Sequence, residues 1–148
     1  MTKDEEIQYL KEKVALYRFD YLTGLRQRAD FEYDLRKKFE LGLPFTLCYY
    51  DVDHLHLTNR KQGFAEGDSL LRQVANDIRH QPVPHTTYRT SGDEFYAICC
   101  GKPTSIVANS TSVITVSTIH STVDAMMHFL DMEMIKLKEK KNTRRKDD

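Results

Sequence analysis

Apolar residues recur every three or four positions between Lys3 and Phe19, where Ile7, Leu10, Val14 and Tyr17 predict one stripe of a helix. That stripe needs a partner, either its own domain or a second copy of the helix. About two heptads are too few for a stable coiled coil alone. Thr23 and Gly24 break the pattern, and a second amphipathic helix is predicted over Gln27–Leu41, with Phe31, Leu35 and Phe39 on one face and Gly42 and Pro44 at its end. The continuous apolar run Phe45–Tyr50 reads as a buried strand leading into Asp51-Val52-Asp53. His54–Phe64 reads as a polar, turn-rich connection. Ala65–His80 is predicted helical, with Leu70, Leu71, Val74 and Ile78 inward. After a Pro-containing loop at Gln81–His85, Thr86–Thr90 and Phe95–Cys100 predict a hairpin closed at Ser91-Gly92. Gly101–Ser112 is irregular, Val113–Ile119 a strand, and Val123–Lys141 a helix packing Met126, Met127, Leu130, Met134 and Leu137 on the sheet. The tail 143–148 is expected to fray. The order α-α-β-α-β-β-β-α predicts an α+β fold: a mostly antiparallel sheet with helices.

Candidate chemistry gathers at two places. Asp51 and Asp53 fall at the C-terminal end of the central strand, where open α/β sheets place their ligands. Asp93 and Glu94 sit on the hairpin turn, in Arg89-Thr-Ser-Gly-Asp-Glu-Phe95. Carboxylates on a rigid turn suit a hard divalent cation, which takes oxygen ligands and phosphate, although most Gly-Asp turns are only turns.

Composition narrows the classes. Lys plus Arg and Asp plus Glu each number 22, so no net field favours nucleic acid or an anionic membrane. The basic stretch Lys136–Lys146 carries interleaved acids and no aromatics, which reads as a solvated helix end. Three cysteines in apolar runs, Cys48, Cys99 and Cys100, are expected as buried thiols in a reducing cytosol. The N-terminus is polar and acidic rather than signal-like, and no apolar run approaches the ~20 residues of a membrane helix. A cytoplasmic location is the expectation. His54 and His56 beside the acids raise a transition-metal site, but a carboxylate-rich set favours a hard ion such as Mg²⁺, and lone histidines are more often solvent-facing.

Placed together, Asp20-x-Leu-Thr-Gly-Leu25, then Asp51-Val-Asp-His-Leu55 through Asn59, Gly63, Gly67 and Asp68, then Ser91-Gly-Asp-Glu-Phe95, resemble the GGDEF family of diguanylate cyclases. The likeness runs from about Asp20 to Lys138, between an N-terminal helix at 1–19 and the tail at 143–148, and makes 20–142 one GGDEF-like domain. It implies a palm-type nucleotide cyclase fold that condenses two GTP molecules into cyclic di-GMP and pyrophosphate, with each subunit of a homodimer holding one GTP. By position, Asp51, Asp93, Glu94 and the Val52 carbonyl would hold Mg²⁺ or Mn²⁺, with Asp51, Asp93 and Glu94 as the catalytic acids. Asn59 and Asp68 would read guanine. Val52, His54, Leu55, Ser91 and Gly92 would lie against the nucleotide, and Lys138 would grip phosphate or form a solvated helix face.

The departures also carry expectations. Ser91 replaces the first Gly of the name motif, Leu55 a usual Phe, His56 a usual Lys, Phe64 a common His, and Asn142 an arginine. Ser117-Thr118-Ile119 lacks a family Gly. These changes thin out phosphate contacts and leave the metal and base contacts in place. The family's feedback site, Arg-x-x-Asp, has Pro82 and His85 at its positions, so product inhibition through it is not expected. Gly101–Ser112 is too short for the family helix at that point, and a second copy or a regulatory protein is expected to cover the surface so exposed. With no sensor domain in the sequence, regulation is expected through the first helix, that face or expression level. Two rival readings remain: a catalytically degenerate receptor for GTP or cyclic di-GMP acting through a partner, and a palm making another cyclic nucleotide, as the related CRISPR polymerase palms do.

Overall fold

The computed structural model describes residues 1–147, and the side chains of 1–141, so the expectation for the tail at 143–148 lies outside the described side chains. Strands β1 (Thr46–Val52), β2 (His85–Ser91), β3 (Glu94–Cys99) and β4 (Ser110–Val116) form one antiparallel sheet in the order β2-β3-β1-β4. The central strand β1 is apolar on both sides because both are covered. Cys48, Tyr50 and Val52 pack with Phe95, Ala97 and Cys99 under α4 (Phe64–Arg79), which contributes Leu71, Val74, Ala75 and Ile78. On the other side Leu47, Tyr49, Tyr96, Ile98 and Val113 meet Phe31 and Leu35 of α2 (Arg28–Glu40) and Met126, Leu130 and Met134 of α5 (Val123–Asp147). The fold is the expected α+β palm, with the helices split between the faces.

Leu137, expected on the sheet, stands exposed beyond the α5 stripe, and three further local expectations need correction. The segment after β1 contains a helix, α3 (Leu55–Gln62), where a turn-rich connection was expected. Only Leu55 of that helix is buried, so no apolar stripe announces it; packing on α4 holds it. The late strand ends at Val116, and Ser117–Ile119 forms a 3-10 turn that leaves Ile119 67% exposed. Ser117 exchanges bonds with Phe45 there, donating its N–H to the Phe45 carbonyl and accepting the Phe45 N–H on Oγ. Cys100 is exposed, whereas burial pushes the Cys48 thiol up to about 12 and Cys99 up to about 11.

The chain itself covers the surface expected to await a partner. The connection from Gly101 to Asn109 lies across the α4 side of the sheet and buries Pro103 and Val107. The Tyr50 hydroxyl donates to the Thr104 carbonyl, Ser112 Oγ donates to Ser105, and Thr104 N–H donates to Gln81 Oε1 at 2.7 Å. The strand meets the loop with Ser110 and Ser112, small polar residues that need no helix over them, so Ile106 and Val116 are the main apolar side chains left in solvent there. Tyr50→Phe is expected to cost about 1–2 kcal/mol, because buried polar groups lose their partner, and to make the loop an earlier site of limited proteolysis.

Helix α1 (Lys3–Arg18) starts in a capping box between Thr2 and Glu5 and buries none of its residues. Among the described residues its last turn is what is tied down, through Gln27 bonds to the Tyr17 and Phe19 carbonyls and an Arg18–Asp30 ion pair. The stripe Ile7, Leu10, Val14 and Tyr17 is therefore not packed on its own domain. No described helix is long and apolar enough to cross a membrane.

Candidate functional site

Side chains alternate along a strand, so Tyr49, Asp51 and Asp53 of β1 and its exit point to the α5 side of the sheet. Asp51 lies directly opposite Glu94 of β3. The Tyr49 hydroxyl bridges them, 3.3 Å from Asp51 Oδ2 and 3.1 Å from Glu94 Oε1. Burial, with carboxylates nearby, pushes the Tyr49 hydroxyl far up, so it stays a donor.

The β2–β3 turn is held from outside. Ser91 pairs with Glu94 around Gly92-Asp93, after a register shift between Arg89 and Ser91. Arg89 donates to the Gly92 carbonyl from Nε and Nη2 at 3.3 and 3.0 Å, and from Nη1 to both Asp20 oxygens at 3.1 Å. Asp20 also accepts the Thr23 N–H and hydroxyl, in a turn closed by Gly24 at φ +73. Arg26 joins this segment to β2 by backbone bonds with Thr87 and Arg89. The Asp20–Leu25 stretch is thus a brace for the acidic turn. Asp93 closes the other side, its carbonyl accepting the Val52 N–H at 2.9 Å.

The α5 stripe Met126, Leu130, Met134 continues one turn on to Lys138, which brings an ammonium over the carboxylates. Lys138 Nζ lies 2.8 Å from Asp51 Oδ1 and 2.9 Å from Asp53 Oδ1, with the Val52 and Asp51 carbonyls at 3.3 and 3.5 Å. Asp53 also takes Lys141 at 2.9 Å and Thr111 Oγ1 at 2.8 Å. Burial opposes ionisation of Asp53, but these three bonds outweigh it and hold the carboxyl at about 2. Burial dominates at Asp51 and raises it, with Lys138 pulling the other way. Lys138 stays above its ordinary value despite burial because Asp51 and Asp53 hold its charge.

These groups open onto a cavity of about 930 Å³. Of the residues singled out in the sequence, Asp51, Val52, His54, Leu55, Asp93, Glu94 and Lys138 line it; Asn59, Asp68, Ser91 and Gly92 do not. Asn59 on α3 reaches α4 instead: a Cβ on Gly67 would stand 1.6 Å from Asn59 Oδ1. Only glycine admits that approach, next in the chain to Asp68. Gly67→Ala is expected to leave the fold intact, since the neighbour is a side-chain tip, and to push Asn59 aside. An unchanged melting temperature, with shifted resonances for the Asn59 side-chain amide, would be the sign. Asp53, singled out as candidate chemistry without a role, belongs to the site, and Tyr49, Arg89 and Lys141 join it with no role expected from the sequence. Tyr49 shared a face with Asp51 by simple alternation, and Lys141 lies one helical turn from Lys138, so both had a signal.

The donor set can be tested against a divalent cation. Among the described residues no three His, Cys, Asp or Glu side chains form a metal cluster. Of the four groups expected on the metal, Asp51 and the Val52 carbonyl nonetheless already cradle a cation, the Lys138 ammonium, while Asp93 and Glu94 face the same cavity. An all-oxygen pocket that seats a positive charge fits a hard ion such as Mg²⁺.

Comparison with known proteins decides the family. The family model described as "Diguanylate cyclase, GGDEF domain" matches residues 17–128. The chain belongs to the GGDEF family. It is 31% identical over 109 residues to the cyclic di-GMP phosphodiesterase PdeB of Shewanella oneidensis, covering 73% of this chain and 12% of that protein. It is 33% identical over 98 residues to the diguanylate cyclase VdcA of Vibrio cholerae, covering 63% of this chain and 29% of VdcA. The chain therefore spans under a third of either relative. Among solved structures, diguanylate cyclase SiaD of Pseudomonas aeruginosa, in complex with its activator SiaC, matches with a TM-score of 0.68 at 20% identity, over 93% of this chain and 65% of that one. A sensory box/GGDEF family protein of Caulobacter crescentus matches with a TM-score of 0.64 at 24% identity, over 83% and 99%. These two likenesses establish the GGDEF fold.

Proposed function

We propose that this GGDEF chain is a diguanylate cyclase, condensing two GTP molecules into cyclic di-GMP with release of two pyrophosphates. The observation that carries the reading is the facing pair Asp51 and Glu94, with Asp93 on a braced turn beside them and two lysines above. Mg²⁺ or Mn²⁺, held by Asp51, the Val52 carbonyl, Asp93 and Glu94, would neutralise the triphosphate and lower the barrier to attack by the 3′-hydroxyl. Tyr49 fixes Glu94 Oε1, which leaves Oε2 to take the hydroxyl proton. Lys138 and Lys141 would bring positive charge to the phosphates, and Asn59 and Asp68 would read the guanine edge from the α3–α4 junction. Adenine lacks the N1 and N2 donors that a carboxylate accepts, so Asp68 would set GTP against ATP. Each site uses one GTP, so the reaction needs two copies face to face, and the exposed stripe of α1 supports a homodimer.

One observation favours the non-enzymatic alternative, a GGDEF-like regulator that binds GTP or cyclic di-GMP and acts through a protein partner. Lys138 already occupies the oxygens that the metal needs. Purified protein incubated with GTP and Mg²⁺, with products separated by chromatography and Asp93→Ala run beside it, distinguishes the two. Cyclic di-GMP from the parent protein alone supports the cyclase. GTP bound in calorimetry but left unconverted rejects it in favour of the regulator.

A further inference from the structure

We propose that Lys138 is a built-in competitor of the divalent cation, seated on the metal's own oxygens until a triphosphate draws it away. The inference rests on the reading above only in taking Asp51 and Val52 as the metal's ligands.

The contact set is that of a bound cation. A single ammonium reaches Asp51 Oδ1 at 2.8 Å, Val52 O at 3.3 Å and Asp51 O at 3.5 Å, with Asp53 Oδ1 at 2.9 Å. A divalent ion bonded to the same Asp51 and Val52 oxygens would stand within a few ångströms of Nζ, and two like charges do not share one carboxylate oxygen without strong repulsion. One of them must leave. The lysine stem is flexible enough to do so, with four carbons between backbone and charge. Its anchor at the base is firm, since Met134, one turn earlier on α5, is 4% exposed.

Asp53 gives the displaced ammonium somewhere to remain. Its carboxylate is fixed by Thr111 and Lys141 independently of Asp51, and its backbone N–H donates to the Asn109 carbonyl at 2.8 Å. Lys138 can therefore give up Asp51 and Val52, keep Asp53, and turn its remaining N–H groups to phosphate oxygens. An ammonium has three such donors. Metal and nucleotide would then help each other bind: the ion alone has to evict Lys138 unaided, whereas the triphosphate supplies it with a new partner. Coupling of this kind is reciprocal. Asp53 is on this account a positioning residue for Lys138.

Mn²⁺ binding to the whole chain, followed by electron paramagnetic resonance without nucleotide, tests the competition apart from turnover. Lys138→Met keeps the stem and removes the charge, and is expected to tighten Mn²⁺ binding at least about fivefold. The same variant is expected to bind 3′-deoxy-GTP with Mn²⁺ more weakly than the parent. Lys138→Gln serves the same purpose if Lys138→Met fails to melt cooperatively. Asp51→Asn is expected to abolish Mn²⁺ binding in both backgrounds. Unchanged or weaker Mn²⁺ binding on loss of the lysine overturns the proposal, as does Mn²⁺ binding that survives Asp51→Asn or is absent from every variant. If the lysine variant gains Mn²⁺ while the parent makes no cyclic di-GMP, the competition stands and the cyclase reading falls.

Discussion

Glu94→Gln is expected to lower the rate of cyclic di-GMP formation by about 10³-fold or more, the range in which loss of a general base falls. The substitution is nearly isosteric and keeps an acceptor for the Tyr49 hydroxyl at Oε1. It removes a negative charge from a strand position facing Asp51, where like charges oppose one another across the pair. The melting temperature is therefore expected to hold or rise slightly while turnover collapses. That opposition of signs separates a chemical role from a structural one. Single-turnover measurements on saturated enzyme should place the loss in kcat, with GTP binding reduced far less. Turnover within tenfold of the parent would remove Glu94 from the proton transfer.

Legibility in the sequence followed how local each signal is. The central strand, the amphipathic helices α2 and α4 and the Ser91–Glu94 turn each carry their own periodicity or turn chemistry, so they were readable in place. Helix α3 was not, because it buries only Leu55 and depends on α4 for its existence. Residues that act through alternation are half-legible: Tyr49 and Asp53 share the face of Asp51 by the period of a strand. The link from Asp20 to Arg89 joins residues 69 apart and has no periodic signature. The loop that replaces a helix misled for a related reason. Its shortness suggested an uncovered surface, but Ser110 and Ser112 beneath it are small polar residues whose hydroxyls donate to the loop's own carbonyls.

Breaking the brace is expected to have the largest effect on stability. Arg89 and Asp20 are 16% and 15% exposed, close to buried, and removing one partner of such a pair leaves the other charge in a poor medium. Arg89→Ala is expected to cost about 2–3 kcal/mol, below the full cost of a fully buried pair because both ends still touch solvent. The Gly92 carbonyl loses two donors in the same step, so the acidic turn should loosen and activity should fall further than stability alone explains. Arg89→Met with Asp20→Leu should recover part of the stability, since no charge is stranded, but not the activity, since the turn stays unheld. The pH dependence has a definite sign. Burial works against the Asp20 carboxylate, yet its bonds from Thr23 and Arg89 prevail and hold it below its ordinary 3.8. A carboxyl lower in the folded than in the unfolded chain stabilises fully above the unfolded value and loses that contribution as pH falls through the folded one. Urea titrations of the parent between pH 7 and pH 3 should show this loss below about pH 4, added to that of Asp53, and Asp20→Asn should make that part of the profile shallower. An Arg89→Ala variant as stable as the parent at pH 7 would mean that the turn is held by the hairpin alone.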